Sequence, residues 1–212
     1  MNSDVVTAVS DPRASWRLAA FLAVAGVAAT LFVAIAAVPY YLSASYGPPE
    51  YAPRKGWLML HISGGIVAIL TGPVQLWLGL GDRGMTWHRR MGMAYMAAVG
   101  AGALGGYYMA FKTDFGWLFG ASLACLATAW VTTTAMAYLA IKKSLVEQHK
   151  EWMIRSYVVT FAFVIFRLLQ PLLQDVGTIT EQLAAAGWLC WTIPLLTTEL
   201  VLQGRKILRV RA

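Results

Sequence analysis

Six apolar segments, each long enough to cross a bilayer, are separated by short stretches that hold most of the charged residues. Crossing the hydrocarbon core as an α-helix takes about 20 mostly apolar residues. The pattern therefore predicts six transmembrane helices, here the first to sixth spans: Leu18–Leu42, Trp57–Leu80, Met91–Phe111, Phe115–Ile141, Trp152–Leu173 and Leu183–Leu202. The first run exceeds the roughly 7–15 apolar residues of a secretory signal, which favours a retained helix.

Composition agrees with a membrane protein. Hydrophobic residues make up 58% of the chain, charged residues 13%, and the mean hydropathy is +0.59. A soluble globular domain carries about 25% charged residues and could not shield this much apolar surface from water. These values exclude a secreted soluble enzyme and a disordered regulator. We expect one all-α transmembrane domain over residues 1–212, with tails at about residues 1–16 and 204–212.

Basic residues predict the orientation. With the N-terminus in the cytoplasm, 13 Lys and Arg residues lie on the inner side, while only Arg54, Lys55 and Lys112 lie outside. Such an excess on the cytoplasmic side is typical of inner-membrane proteins, so we expect both termini in the cytoplasm of a multi-pass inner-membrane protein. The net charge of +7 follows this distribution and indicates no nucleic-acid partner.

Ionisable residues inside the second and fifth spans are the first candidate site. His61, Gly65 and Gln75 recur at helical spacing on one stripe, as do Arg167 and Gln170. His61 and Arg167 start about 6–9 Å below the outer surface at 1.5 Å per residue. Ionisable side chains at such depths usually face a cavity, which predicts an outer His/Arg pocket. The alternatives are a packing face with one hydrogen-bonded histidine and an Arg167 that reaches outward to water.

A second cluster lies at the inner ends of the third and fifth spans. His88, Arg89 and Arg90 begin the third span, and His149 and Arg155 begin the fifth. Arg and His donors near helix N-termini suit an anion, which predicts a site for phosphate or a lipid headgroup. The alternative is an ordinary positively charged loop with two interfacial histidines.

Haem is the cofactor alternative at this inner cluster, because His88 and His149 at one depth could ligate iron from both faces. A chain with three histidines cannot hold two bis-histidine haems, so a single b-type haem is the limit. His61 lies about 25–30 Å away across an unbroken span, which excludes one ion bound by all three histidines. Cys125 and Cys190 stand alone in apolar runs, so neither a disulfide nor a thiolate metal site is expected.

Three histidine-anchored motifs carry a family resemblance. They are His61–Gln75, His88–Gly92 followed by Tyr95, and His149–Tyr157 followed by Arg167 and Pro171. In order and spacing they resemble the bacterial domain-of-unknown-function 2306 membrane proteins, from about Trp57 to Leu173. The resemblance implies a polytopic bacterial membrane protein and brings no biochemical activity with it.

Catalytic signatures are missing: the sequence has no P-loop, GxSxG, HExxH or dinucleotide-binding motif. We therefore expect a non-catalytic binding or accessory protein, with the bilayer and other membrane subunits or further copies of itself as partners. The alternative is a redox subunit with one b-type haem, in which His61 and Arg167 bind a quinone. A carrier of small anions is the third hypothesis.

Overall fold

Long helices account for nearly all of the structure, a computed structural model that describes residues 12–43, 46–47, 49–81 and 84–210. The first span runs from Pro12 to Phe32 and continues through a π-helical turn to a short helix. A 3-10 helix leads into the second span. The bounds are Pro12–Phe32, Val33–Ala37 and Pro39–Leu42; Pro49–Arg54 and Lys55–Leu80; Met85–Phe111; Trp117–Lys142; Val146–Thr160 and Ala162–Leu172; and Ile179–Val210.

The all-α class is confirmed, since no strand occurs in the described part of the chain. Five helical segments there are long and apolar enough to cross a membrane, and the third span is equally long but less apolar. Except in the fourth span, which begins at Trp117, the helices begin earlier than the hydropathy pattern predicted, because polar residues at a membrane interface continue the backbone hydrogen bonds of the helix. His88 therefore lies within the third span and His149 within the fifth.

Glycines allow the second and third spans to pack with their backbones in contact. A Cβ atom on Gly64 would lie 2.5 Å from the Ala98 carbonyl oxygen and 2.7 Å from Gly102 Cα. A Cβ on Gly105 would lie 2.6 Å from the Trp57 carbonyl oxygen. Small residues permit such close approach between membrane helices. This interface is the most extensive one in the bundle and fixes the position of His61.

The fifth span is broken at Phe161, where the sequence predicted one continuous helix. The Thr160 hydroxyl donates to the Ser156 carbonyl oxygen at 2.9 Å, a bond that competes with the helical backbone and bends helices. Beyond the break, the Val164 amide bonds to the Phe161 carbonyl oxygen at 3.0 Å, three residues back. The break lies at the centre of the bundle, next to the cavity described in the next subsection.

The bundle has two ends, each marked by different polar residues. The Arg54 end carries the Pro49–Arg54 helix and Asp114, and the His149 end carries His88 and His149. Residues 1–11, Arg83 and residues 211–212 lie outside the described part, as do the side chains of Arg13, Arg17 and Arg209. Which end faces the cytoplasm, and the single-domain boundary, stay predictions.

Candidate functional site

A cavity of about 220 Å³ opens inside the Arg54 half of the bundle. Its wall is mostly aliphatic and aromatic, and every span contributes to it. We call it the Arg167 cavity; its lining includes Phe32, Ala36, Tyr40, Tyr51, His61, Gly65, Ile66, Ala103, Gly106, Met109, Leu126, Trp130, Phe163, Phe166, Arg167 and Cys190. His61 and Arg167, predicted to lie at similar depths, thus line the same space.

His61 is held rigidly at the wall of this cavity. Its Nδ1 atom lies 2.7 Å from the Gly102 carbonyl oxygen, and its ring packs edge-on against Phe163 at 5.1 Å between centroids. Gly106 supplies the space for the ring, since a Cβ there would stand 3.2 Å from Nδ1. Because a carbonyl oxygen only accepts hydrogen bonds, Nδ1 carries the proton. The other ring nitrogen, Nε2, is then an acceptor when the imidazole is neutral.

Arg167 supplies the cation of the cavity. Its guanidinium Nη1 donates to Gln170 Oε1 at 3.3 Å, so the predicted pair Arg167 and Gln170 is in contact. The side chain is accessible at the surface of the bundle, and no carboxylate pairs with it among the described residues. Tyr40 and Tyr51 line the same end of the cavity. This end can therefore bind an acceptor group, while the rest offers only apolar contact.

Two local contacts close the chain over the Arg54 end. Arg54 donates two hydrogen bonds to Asp114, at 2.8 and 3.2 Å, which ties the 3-10 helix to the loop after the third span. Gly47 has a φ of +101°, and a Cβ there would lie 2.7 Å from the Tyr40 ring. Gly47 thus lets the loop lie flat on a tyrosine of the cavity wall.

The Arg54–Asp114 pair gives a pH-dependent prediction. Hydrogen bonds from Arg54 hold the pKa of Asp114 below its usual range. A carboxyl with a lowered folded-state pKa stabilises the fold above its unfolded pKa, and this is lost as pH falls through the folded value. We expect Asp114→Asn to lower the melting temperature slightly at pH 7, since solvent screens the pair. The difference in melting temperature from the unsubstituted chain should narrow as the pH falls from about 4 through the lowered pKa of Asp114, and a difference that does not narrow would contradict this origin.

The floor of the cavity is a buried network of hydroxyl groups. Trp130 Nε1 donates to Thr160 Oγ1 at 2.7 Å, and the Tyr95 hydroxyl lies 2.8 Å from both Ser156 Oγ and Thr160 Oγ1. Thr134 Oγ1 extends the network to Ser156 at 2.7 Å. These groups satisfy one another, which a buried polar group requires. The network separates the Arg167 cavity from the His149 end.

The predicted inner cluster is only partly assembled. The rings of His88 and His149 meet edge-on with centroids 6.2 Å apart, and His149 Nδ1 lies 2.9 Å from the Ala137 carbonyl oxygen. Gln75 is 2% exposed and donates from Nε2 to the His88 carbonyl oxygen at 2.8 Å. Gln75 Oε1 and His88 Nδ1 are buried without a hydrogen bond among the described residues. Gln75 thus belongs to the histidine pair at this end, far from Arg167.

The His88 ring lies against the second span, with Cε1 2.8 Å and Nε2 3.5 Å from the position of a Cβ on Gly79. Gly79 therefore leaves the room that the ring occupies. No group of three or more His, Cys, Asp or Glu side chains suited to a metal occurs in the described part of the chain. The single haem of the redox alternative, with its two histidine ligands, stays a prediction.

Comparison with known families places the chain. The model of one family, described as a predicted membrane protein family (DUF2306), matches residues 58–202. The chain belongs to the DUF2306 family. Neither the curated proteins nor the solved structures give a match. The resemblance predicted from the histidine motifs is thereby confirmed, and this DUF2306 chain is a membrane protein with several spans.

Arg155, predicted to bind an anion, is already paired in the DUF2306 chain. Its guanidinium bonds to both carboxylate oxygens of Glu199, with Nη2 3.0 Å from Oε2, and Glu151 lies 3.6 Å away. The guanidinium also lies over the Trp152 ring at 4.7 Å. Arg89 and Arg90 are exposed on the third span and take no part in this network. The five predicted residues of this end therefore do not form one anion pocket.

Several residues of the DUF2306 cavity escaped the sequence analysis. The first span contributes Phe32 and Ala36, although it lies outside the family match. Trp130 and Phe163 form much of the aromatic wall, in edge contact at 5.4 Å. One sequence does not show which apolar residues of an apolar helix line a cavity, because helix packing and ligand contact use the same kinds of side chain. The π-helical turn at the cavity is a known mark of functional sites, but only the structure reveals it.

Proposed function

We propose that this DUF2306 protein is a non-catalytic binding or accessory protein of the inner membrane that holds an amphiphilic molecule in the Arg167 cavity. The Arg54 end faces outward in this proposal, and both termini lie in the cytoplasm. The observation that carries the proposal is an apolar cavity of about 220 Å³ with an unpaired arginine at one end, among the described residues. An amphiphile matches both parts: its apolar body fills the wall, and its polar head accepts from Arg167.

Energetics favour a head group at Arg167. An arginine within a membrane span costs about 2.5–3.5 kcal/mol on insertion scales, and such residues are usually compensated by a partner or by water. Gln170 offers one neutral acceptor at 3.3 Å, which leaves most of the five guanidinium donors for another group. Burial of apolar ligand surface adds about 25 cal/mol per Å². A lipid-soluble ligand would gain from both terms.

The His149 end has a lesser role in the proposal. Arg89 and Arg90 are exposed there, with Arg90 5.9 Å from the Trp87 ring. Exposed arginines beside an interfacial tryptophan suit the headgroups of anionic lipids in the cytoplasmic leaflet. We assign this end to lipid contact and the His88–His149 pair to packing of the second, third and fifth spans.

The cavity can be filled without disturbing the helix packing. A Cβ on Gly65 has only Phe163 near it, at 4.0 Å, so Gly65→Leu should place its side chain in the cavity. We expect small amphiphiles that co-purify with the protein, identified by mass spectrometry of organic extracts, to fall at least tenfold in this variant. Gly100→Leu is the matched control, since nothing lies within 4 Å of a Cβ there.

Removal of the cation tests the polar half of the proposal. Arg167→Gln should lower the same extracted species, whereas Lys112→Gln, an exposed cation at the same end, should leave them unchanged. Equal extracts from the unsubstituted protein, Gly65→Leu and Arg167→Gln, all folded, would overturn the binding proposal. Cysteine labelling from each side of the membrane, at Lys112 and at Gln203, tests the proposed orientation separately.

A further inference from the structure

We infer that the ligand of the Arg167 cavity presents a hydroxyl donor to His61 Nε2, and that its head is an aromatic alcohol of the phenol or hydroquinone class. The inference rests on the proposed function and narrows it to a class of ligand. It follows from the protonation of His61, from the lining of the cavity and from its volume.

The bond from His61 to Gly102 decides what the ring can offer. Nδ1 lies 2.7 Å from a carbonyl oxygen, so that nitrogen donates. No carboxylate lies among the lining residues, and Arg167 shares the cavity, so a second positive charge on the ring would be uncompensated. The neutral ring then carries its lone pair on Nε2. A ligand group that only accepts hydrogen bonds, such as a carboxylate, a phosphate or a quinone carbonyl, would be repelled by the lone pair of Nε2.

Volume and lining select an aromatic head. An engineered apolar cavity of about 150 Å³ binds benzene, so 220 Å³ admits one substituted ring with the start of a chain. Phe163 and Trp130 present an edge-to-face pair on the wall beside His61. Aromatic side chains favour offset or edge contacts with a further ring. A two-chain phospholipid is too large to lie inside, although one acyl chain could enter.

Arg167 accounts for the remaining polarity. A guanidinium donates and never accepts, so it requires an oxygen acceptor on the ligand. One phenolic oxygen can donate to His61 Nε2, and a second ring oxygen can accept from Arg167, as in a hydroquinone. The two side chains thus require a donor and an acceptor of the ligand, which one phenolic hydroxyl or the two hydroxyls of a hydroquinone can supply. No electron transfer is part of the inference.

A pair of matched probes tests the hydroxyl donor directly. Binding of 4-pentylphenol and of its methyl ether, 4-pentylanisole, is measured by calorimetry on the detergent-purified full chain. The two differ only in the hydroxyl hydrogen and a methyl group. We expect the phenol to bind about tenfold more tightly, the value of one buried hydrogen bond. 4-Hexylphenol, which has one more carbon than 4-pentylphenol and keeps the hydroxyl, controls for the added volume of the ether.

His61→Phe should remove the preference for the phenol while it keeps the apolar contacts. His149→Phe is the matched control at the other end and should leave the preference intact. Equal affinity of the unsubstituted chain for 4-pentylphenol and 4-pentylanisole overturns the inference, whether or not the variants fold. If neither probe binds but extracted amphiphiles still depend on Gly65 and Arg167, the hydroxyl inference fails alone. If those extracts do not depend on the cavity either, the proposed function fails with it.

Discussion

Gly64→Ala should destabilise the protein by about 3 kcal/mol, at the upper end of the cost of overpacking a core. The added Cβ would lie 2.5 Å from the Ala98 carbonyl oxygen, 2.6 Å from the Gly102 amide nitrogen and 2.7 Å from Gly102 Cα. These are backbone atoms of a helix, which cannot move aside as a flexible side chain can. The two spans must separate, so the helix interface is lost along with the contact. The free energy of unfolding in mixed micelles measures the effect.

Gly65 is the matched control, one residue along the same helix. A Cβ there meets only Phe163 Cε2, at 4.0 Å, which is ordinary van der Waals contact. Gly65→Ala should therefore change the stability by less than about 1 kcal/mol, and in the stabilising direction if the gain in helix propensity dominates. Similar losses in the two variants would show that the close approach of the second and third spans is not what Gly64 provides.

The membrane architecture is readable from the sequence because hydrocarbon imposes a strict rule on the chain. A segment that crosses it must be apolar and must satisfy its backbone internally, so length and hydropathy alone predict the helices. The spacing of His61 and Gly65 also predicts correctly that they share a face, since a helix has one fixed period. Depth counting works for the same reason: Arg167 and His61 line one cavity.

Contacts between spans are beyond such counting. The Tyr95 hydroxyl reaches Thr160, 65 residues later, and Arg155 reaches Glu199, 44 residues later. Which helices are neighbours depends on the summed packing of all six, and no local pattern encodes it. Glu199 was therefore one carboxylate among several in the sequence, and Arg155 looked available for an anion. The structure instead places Arg155 in a neutralised ion network at the His149 end and leaves Arg167, at the cavity, without a carboxylate partner among the described residues.

The cavity is a better candidate site than the His149 end. Arg155 is already neutralised by Glu199 at the His149 end, whereas Arg167 at the cavity has no carboxylate partner among the described residues. An ion network that is already complete gains little from a ligand, because a new anion would have to displace Glu199 from Arg155. Arg167 has no such competitor in the described part of the chain, and the apolar wall beside it would be covered by the same ligand.

Glu199→Gln is expected to destabilise the protein by about 3 kcal/mol. Arg155 is 6% exposed, so loss of the carboxylate leaves a buried guanidinium short of its main partner. Removal of one member of a buried ion pair typically costs about 3–5 kcal/mol. Glu199 is half-buried and Glu151 stays 3.6 Å from Arg155, which favours the lower end of that range. Thermal unfolding in detergent at constant pH gives the comparison.

Two further variants separate a buried charge from a simple loss of contact. Lys206→Gln removes an exposed bond to Glu151, at 2.8 Å, and should cost less than about 1 kcal/mol. The double change Arg155→Met with Glu199→Leu removes both charges and should restore most of the stability lost in Glu199→Gln, since apolar replacements of buried pairs are often neutral. If the double variant is instead less stable than Glu199→Gln, the pair stabilises the protein through its own attraction and geometry. The double variant has no unpaired charge, so its instability could come only from the loss of the Arg155–Glu199 bond.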